Sequence, residues 1–270
     1  MTIRISKSGD WSNVRPDELK SIRGVCLDID DTLSTAGKLS AEAYVSLWKL
    51  KNAGFKVVPI TGRPAGWCDH IARFWPVDAV VGENGAFTFF MQDGVRKRID
   101  TPAGQDKLGG MDKALLSAKL SELAQKIRLR FPDARWASDQ HYREYDLAID
   151  ICEDVQPWPR KRVDDLLEFC RSAGAHAKLS SIHVNAWFGD YDKRKGFENW
   201  LSTPTFDEWI FVGDSPNDEP LFGAFRYSAG VANLKKYLDR LTVFPTWITG
   251  KESGAGFTEV VEKLIESSVM

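Results

Sequence analysis

The sequence predicts an α/β fold in which a parallel-sheet core is interrupted by an inserted α+β domain. Three observations carry that expectation. Short apolar runs alternate with helix-period segments between residues 22 and 85, and the alternation resumes after Gly189. Between the two lies a block of about 100 residues with hairpin and antiparallel signals, within the usual size of a domain. The polar clusters of the alternating parts stand where predicted strands end, the edge at which open parallel sheets bind ligands.

The first twenty residues carry no strong period. Residues 22–27 read as an apolar strand, broken only by Arg23 and Gly24, that ends in Asp28-Ile29-Asp30-Asp31-Thr32. A helix follows, with Ser40 as N-cap, Ala43, Leu47 and Leu50 on one face and Gly54 past its end. Residues 56–60 form a second buried strand and deliver Thr61-Gly62-Arg63-Pro64. A helix over 65–75 and a strand over 79–81 lead to Gly82-Glu83-Asn84-Gly85. The core therefore comprises 1–87 and 190–270, and the insert 88–189. Within the insert, 87–91 and 95–99 flank Asp93-Gly94, a hairpin signal. Residues 104–110 read as a loop. Leu116, Leu120, Leu123 and Ile127 mark one helix, and Val163, Leu166, Leu167 and Cys170 another. Tyr145, Leu147, Ile149 and Ile151 alternate as a half-buried strand, the run 139–144 reads as an exposed loop, and 182–187 as a further strand. In the returning core, 195–201 is helical, and 209–212 is a strand ending in Gly213-Asp214-Ser215-Pro216-Asn217-Asp218. An amphipathic helix over 256–265 closes the chain.

Composition narrows the function classes. With 36 basic and 38 acidic side chains the net charge is −2, which argues against broad electrostatic binding of nucleic acid. Cys26, Cys68, Cys152 and Cys170 have neither CxxC nor metal-type spacing, so four reduced, mostly buried thiols are expected. No leader-like apolar run opens the chain and no stretch nears the roughly 20 apolar residues of a membrane span. The expectation is a soluble cytoplasmic protein, a monomer or small homo-oligomer, acting on a small molecule.

Asp28 and Asp30 are two residues apart at a strand end, so their side chains can project to the same side. Carboxylates that close repel unless a cation sits between them or one is protonated. Mg²⁺ suits the arrangement, since it takes one or two carboxylates together with phosphate oxygens and water. Asp214 and Asp218 stand at another strand end and could complete such a site. Thr61 and Gly62 offer a hydroxyl and an accessible N–H for a phosphoryl oxygen. Lys195 enters from a helix start, where the ammonium and free N–H groups both favour an anion.

This ordered set resembles the motifs of the haloacid dehalogenase superfamily of phosphohydrolases: Asp28-Ile29-Asp30-Asp31-Thr32, Thr61-Gly62-Arg63, Lys195-Gly196 and Gly213-Asp214-Ser215-Pro216-Asn217-Asp218. Glu83-Asn84-Gly85-Ala86 and the position of the insert resemble the Cof-type subgroup with a type IIB cap, which includes sucrose-, trehalose- and mannosylglycerate-type phosphatases. The resemblance implies a Rossmann-like core with Asp28 as nucleophile, Asp30 as general acid and base, and an aspartyl-phosphate intermediate. It implies Mg²⁺ held by Asp28, the Asp30 carbonyl and Asp214, with Asp218 as a ligand or just behind the ligands. Thr61, Gly62 and Lys195 would bind phosphate, supported by Arg63 and Asn217. Asp31 departs from the glycine of many cap-bearing sugar phosphatases. His183, Asn185 and Trp187 share one face of a cap strand and are candidate specificity residues. The implied activity is Mg²⁺-dependent hydrolysis of small phosphate monoesters, sugar phosphates foremost. A phosphomutase of the same subgroup shares every motif, and a phosphate-binding regulatory module without turnover is the rival from another class. A dehalogenase on this fold has no need of Asp30.

Overall fold

The computed structural model describes residues 8–101, 113–201 and 205–269. The chain opens with β1 (Gly9–Asp10), β2 (Gly24–Leu27), α1 (Ala41–Asn52), β3 (Lys56–Pro59), α2 (Ala65–Phe74) and β4 (Ala79–Gly82). A hairpin follows, β5 (Phe87–Gln92) and β6 (Val95–Asp100). Next come α3 (Lys113–Arg130), β7 (Arg135–Trp136), β8 (Asp146–Asp150), α4 (Arg160–Ser172), β9 (His176–Leu179) and β10 (His183–Trp187). The chain returns through α5 (Lys193–Leu201), β11 (Trp209–Gly213), α6 (Glu219–Ala224), β12 (Tyr227–Gly230), β13 (Trp247–Ile248) and α7 (Ser253–Val269).

The core sheet has the order β1-β13-β12-β11-β2-β3, with every pairing parallel. All residues of β2 and β11 are buried, as expected of strands covered on both faces. Helix α1 starts where Ser40 Oγ accepts the Ala43 N–H at 3.2 Å, and it buries Leu47 and Leu50 in one cluster with Val260, Val261 and Leu264 of α7. Because β11, β2 and β3 are neighbours in register, the residues that follow them (Asp214, Asp28 and Thr61) emerge at the same edge.

The hairpin does not open the insert as expected. β5 pairs antiparallel with β4 from Ala79–Phe90 to Gly82–Phe87, and β4 joins β3 through a parallel Ile60–Val81 bridge. The expected boundary at residue 88 falls inside β5. The cause is pairing: β5 adds to β4, while Phe87 and Phe89 are buried in a cluster that holds Cys68 and Ile71 of α2 together with Leu116, Leu123 and Ile127 of α3, so the hairpin packs on core and insert alike.

The insert's own sheet is antiparallel, β7-β8-β10-β9. Its register pairs Val184 with Ile149 and Ala186 with Leu147, and these join Leu123, Ile127, Val163 and Leu166 of α3 and α4 in one apolar cluster. The opposite face pairs His183 with Asp150, Asn185 with Ala148 and Trp187 with Asp146. That polar face is also buried. The run 139–144 departs from its expected exposure: Asp139 is buried and the Arg143 side chain fully so. The loop read at 104–110 lies outside the described residues. No described helix is long and apolar enough to cross a membrane. Cys26, Cys68 and Cys170 are buried free thiols and Cys152 is half-buried.

Candidate active site

Asp28 leaves β2 with its N–H bonded to the Val212 carbonyl at 2.9 Å, and its side chain is buried. Asp214 leaves β11 fully buried, accepting from Thr32 Oγ1 at 3.4 Å and Asn233 Nδ2 at 3.1 Å. Asp218 turns back on the same loop, where its Oδ2 accepts the N–H groups of Asp214 (3.0 Å) and Ser215 (3.1 Å). Ligand oxygens of Asp28, Asp214 and Asp218 lie within 4.8 Å of one another.

The cation at this cluster is Lys193, where Lys195 was expected. Lys193 Nζ lies 2.9 Å from Asp28 Oδ1 and 2.7 Å from Asp218 Oδ1, and its side chain is 1% exposed. Lys195 is 42% exposed, and its Nζ lies 2.6 Å from the Asp190 carboxylate. The physical reason is the helix start. Asp192 Oδ1 accepts the Lys195 N–H at 2.9 Å, so α5 begins at Lys193, two residues earlier than the periodicity indicated. Two residues along a helix is about 200° of rotation, which sends Lys193 inward and Lys195 out. An N-cap reading of Asp192 would have found the right lysine.

Two glycines let α5 come this close. An added Cβ on Gly196 would stand 2.6 Å from the Gly85 Cα, and one on Gly85, whose φ is +109°, would stand 1.9 Å from the Asp192 carbonyl oxygen. Neither position admits a larger residue without moving the helix.

Burial dominates the electrostatics. It pushes the Asp28 carboxyl up to about 7, with Asp218 and Asp30 adding repulsion and Lys193 only partly offsetting it. Burial and the charges of Asp28 and Asp218 raise Asp214 well above the ordinary carboxylate range. Burial works against the Lys193 ammonium, but Asp218 and Asp28 outweigh it, and its pKa is raised. Three carboxylates ionised together against one lysine would leave negative charge uncompensated, which is part of why the Asp28 and Asp214 carboxyls are raised. An all-oxygen cluster of that charge fits a hard divalent cation.

The remaining expected residues divide. Asp28, Asp30, Gly62, Arg63, Asn217, His183 and Asn185 all line one small cavity between the core and the insert. Thr61 is fully buried beside it, its Oγ1 accepting the Arg63 N–H at 3.0 Å, which leaves the hydroxyl hydrogen free to donate. Asn217 Oδ1 accepts from Ser215 Oγ at 2.7 Å. Arg63 does not offer a free guanidinium to phosphate, as expected from its motif. Its Nε and Nη2 bind the Asp30 carboxylate, the latter at 2.7 Å, while Nη1 reaches Asp139 at 3.2 Å and Nη2 reaches Glu153 at 2.7 Å. Trp187 does not line the cavity. Its indole N–H donates to the Tyr191 carbonyl at 3.2 Å and its ring stacks against His176 and Tyr191.

Several residues that join insert to core went unassigned in the sequence. Arg143 donates to the Gly62 carbonyl at 2.8 Å and pairs with Asp139 and Asp146. Asp146 in turn accepts from Asn185 at 2.8 Å. Glu83, on a turn with positive φ at residues 83–85, accepts the N–H groups of Ala65, Glu144 and Tyr145. Burial first, then Asp146, pushes its carboxyl up to about 8 against the pull of Arg143.

Residues 25–101 match the family model of the haloacid dehalogenase-like hydrolases. The same residues carry Asp28, Thr61 and the Glu83 turn. Over these residues the chain is similar to the haloacid dehalogenase-like hydrolases. Phosphoglycolate phosphatase 1 of Saccharolobus solfataricus is 23% identical over 251 residues, which is 91% of this chain and 96% of that one. The fold is that of the sucrose-phosphatase from Synechocystis sp. PCC6803, solved with sucrose and phosphate (TM-score 0.61, 17% identity, 89% of this chain and 97% of the other). It is equally that of the C-terminal domain of trehalose-6-phosphate phosphatase from C. albicans (TM-score 0.66, 11% identity, 98% and 99%).

Proposed function

We propose that the chain hydrolyses phosphate monoesters of small metabolites, sugar phosphates foremost, through an aspartyl phosphate on Asp28, with Mg²⁺ as cofactor. The observation that carries the reading is the buried Asp28–Lys193–Asp218 contact with Asp214 alongside it. Phosphate-monoester hydrolysis is among the slowest uncatalysed reactions, so preorganised positive charge must supply most of the rate.

In this reading Asp28 Oδ attacks phosphorus as the bond to the leaving alcohol breaks, and Asp30 gives that oxygen a proton. Asp30 then takes a proton from water, whose oxygen attacks phosphorus and releases Asp28 and inorganic phosphate. Two easier steps replace one difficult one. Lys193 stays charged beside Asp28 and offsets the phosphoryl oxygens, and the Thr61 hydroxyl donates to one of them. Asp28, the Asp30 carbonyl and Asp214 would hold Mg²⁺, with Asp218 holding Lys193 and the loop from behind. The ion supplies positive charge that draws in the phosphoryl oxygens and stabilises charge developing on them. The cavity between core and insert measures about 10 Å³, room for about one water. Substrate therefore enters when the insert lifts, and the contacts of Arg63, Arg143 and Glu83 are those that reseat it.

The test is phosphate release from a generic aryl phosphate and a panel of sugar phosphates, with and without Mg²⁺, for the wild type and Asp28→Asn. Metal-dependent turnover lost in the variant is the expected result. No release from any ester overturns the reading.

A further inference from the structure

After β12 the chain runs into a turn segment, Ala232–Arg240, that lies against the acidic cluster. Its start is fixed by the backbone: the Val231 N–H donates to the Gly213 carbonyl and the Ala232 N–H to the Lys251 carbonyl, each at 3.0 Å. Leu234 anchors it, fully buried in one cluster with Phe211 and Leu241. Asn233 stands between these anchors, half-buried, and makes three contacts. Its Nδ2 donates to the Asp31 carbonyl at 3.0 Å and to Asp214 Oδ2 at 3.1 Å, and its Oδ1 accepts the N–H of Ser253, the first residue of α7, at 2.9 Å. The amide can sit only this way round, because the reverse would face its oxygen with two oxygens and its NH₂ with an N–H.

We infer that Asn233 is a positioning residue for the metal site, holding the Asp214 carboxylate and the backbone beside Asp30 in the arrangement that binds Mg²⁺. The inference rests on the metal-dependent phosphatase reading above and adds a residue that acts through the ligands. Lys193 pairs with Asp28 and Asp218, whereas Asp214 takes its side-chain donors from uncharged groups, the Thr32 hydroxyl on Oδ1 and the Asn233 amide on Oδ2. An amide suits that place: it orients a carboxylate without bringing a positive charge that would compete with the ion. The second donation addresses strain. Asp31 is a non-glycine residue with φ of +55°, a backbone that glycine adopts freely and other residues hold only under constraint. Ser34 Oγ accepts its N–H at 3.2 Å and Asn233 takes its carbonyl, so the residue that follows Asp30 is held on both sides.

The experiment titrates Mg²⁺ by calorimetry into wild type, Asn233→Ala and Ser40→Ala without substrate, and measures phosphate release from an aryl phosphate against Mg²⁺ concentration. Ser40→Ala removes the cap of α1, away from the site, and controls for general loosening. Asn233→Ala is expected to bind Mg²⁺ about tenfold more weakly, with part of the lost kcat recovered at saturating Mg²⁺, while Ser40→Ala stays within twofold of wild type. Should Asn233→Ala not fold, Asn233→Ser carries the same expectation, since one hydroxyl hydrogen cannot serve both oxygens. Mg²⁺ affinity within twofold of wild type in a folded Asn233 variant overturns the inference and leaves the phosphatase reading intact. So does an equal loss of affinity in Ser40→Ala. A wild type that neither binds Mg²⁺ nor needs it for phosphate release overturns the metal reading and the inference together.

Discussion

Replacing Lys193 with Met separates the two lysines at the start of α5. At 2.9 Å from Asp28, an effective dielectric constant of about 20 gives an attraction of about 6 kcal/mol, with a similar value toward Asp218. Desolvation of the ammonium offsets much of this. Breaking a buried pair by removing one partner nevertheless costs about 3–5 kcal/mol, because the other charge is left behind. Here two carboxylates are left behind, and the charge facing the transferring phosphoryl group is gone. Loss of one preorganised charge at a reacting centre lowers kcat by about 10²–10³. Lys195→Ala removes an exposed contact to Asp190 and is expected to stay within about 0.5 kcal/mol in stability and within twofold in kcat. Phosphate release at saturating substrate and thermal melting of both variants, in the presence of Mg²⁺, provide the measurements. A Lys193→Met protein within a few fold of wild-type kcat, or a Lys195→Ala protein without activity, would refute the assignment.

Three further predictions follow from the same geometry. Gly196→Ala forces a methyl to within 2.6 Å of the Gly85 Cα, so α5 must shift; a stability loss of about 1–3 kcal/mol with a fall in kcat is expected by denaturation and turnover assays. Unchanged values for both would mean that the close approach of α5 is not needed. Burial alone would raise the Glu153 carboxyl, but His183 and Arg63 hold it down at about 2, below its unfolded value. Its stabilisation is present above the unfolded pKa and lost as pH falls toward 2, so the destabilisation caused by Glu153→Gln should be smaller by about 2 kcal/mol at pH 3 than at pH 6. An equal loss at both pH values, read from urea unfolding, would count against that linkage. Finally, Mg²⁺ should raise the melting temperature of the wild type, by binding the folded state, and do so less for Asp214→Asn. Equal shifts in the two proteins would place the ion elsewhere.

The sequence carried the fold well because its signals there are local. Alternating apolar runs, Ser40 at the start of α1 and Asp93-Gly94 in the hairpin each act within a few residues. The strand-end motifs converge because β11, β2 and β3 are adjacent, and that adjacency follows from the α/β pattern. The insert's polar face was legible as alternation in β10. What failed depended on phase or on distant partners. Lys195 read as the phosphate-binding lysine because the helix start was placed two residues late, at 195 where α5 begins at Lys193. Arg63 read as a phosphate ligand because its partners Asp30, Asp139 and Glu153 lie 33, 76 and 90 residues away. Trp187 shares the face of His183 and Asn185, yet sits at the end of β10, where Tyr191 takes it up. The hairpin's allegiance to the core was hidden because its strand signal does not say which sheet it joins.

On the proposed function, Asp28 carries the phosphoryl group during turnover. The direct measurement is reductive trapping with borohydride of enzyme quenched during steady-state hydrolysis, followed by peptide mapping. Conversion of residue 28 to homoserine, absent in Asp28→Asn and in enzyme without substrate, is the expected result. Conversion at Asp30 or Asp214 instead, or an Asp28→Asn protein that still releases phosphate at the wild-type rate, would contradict it.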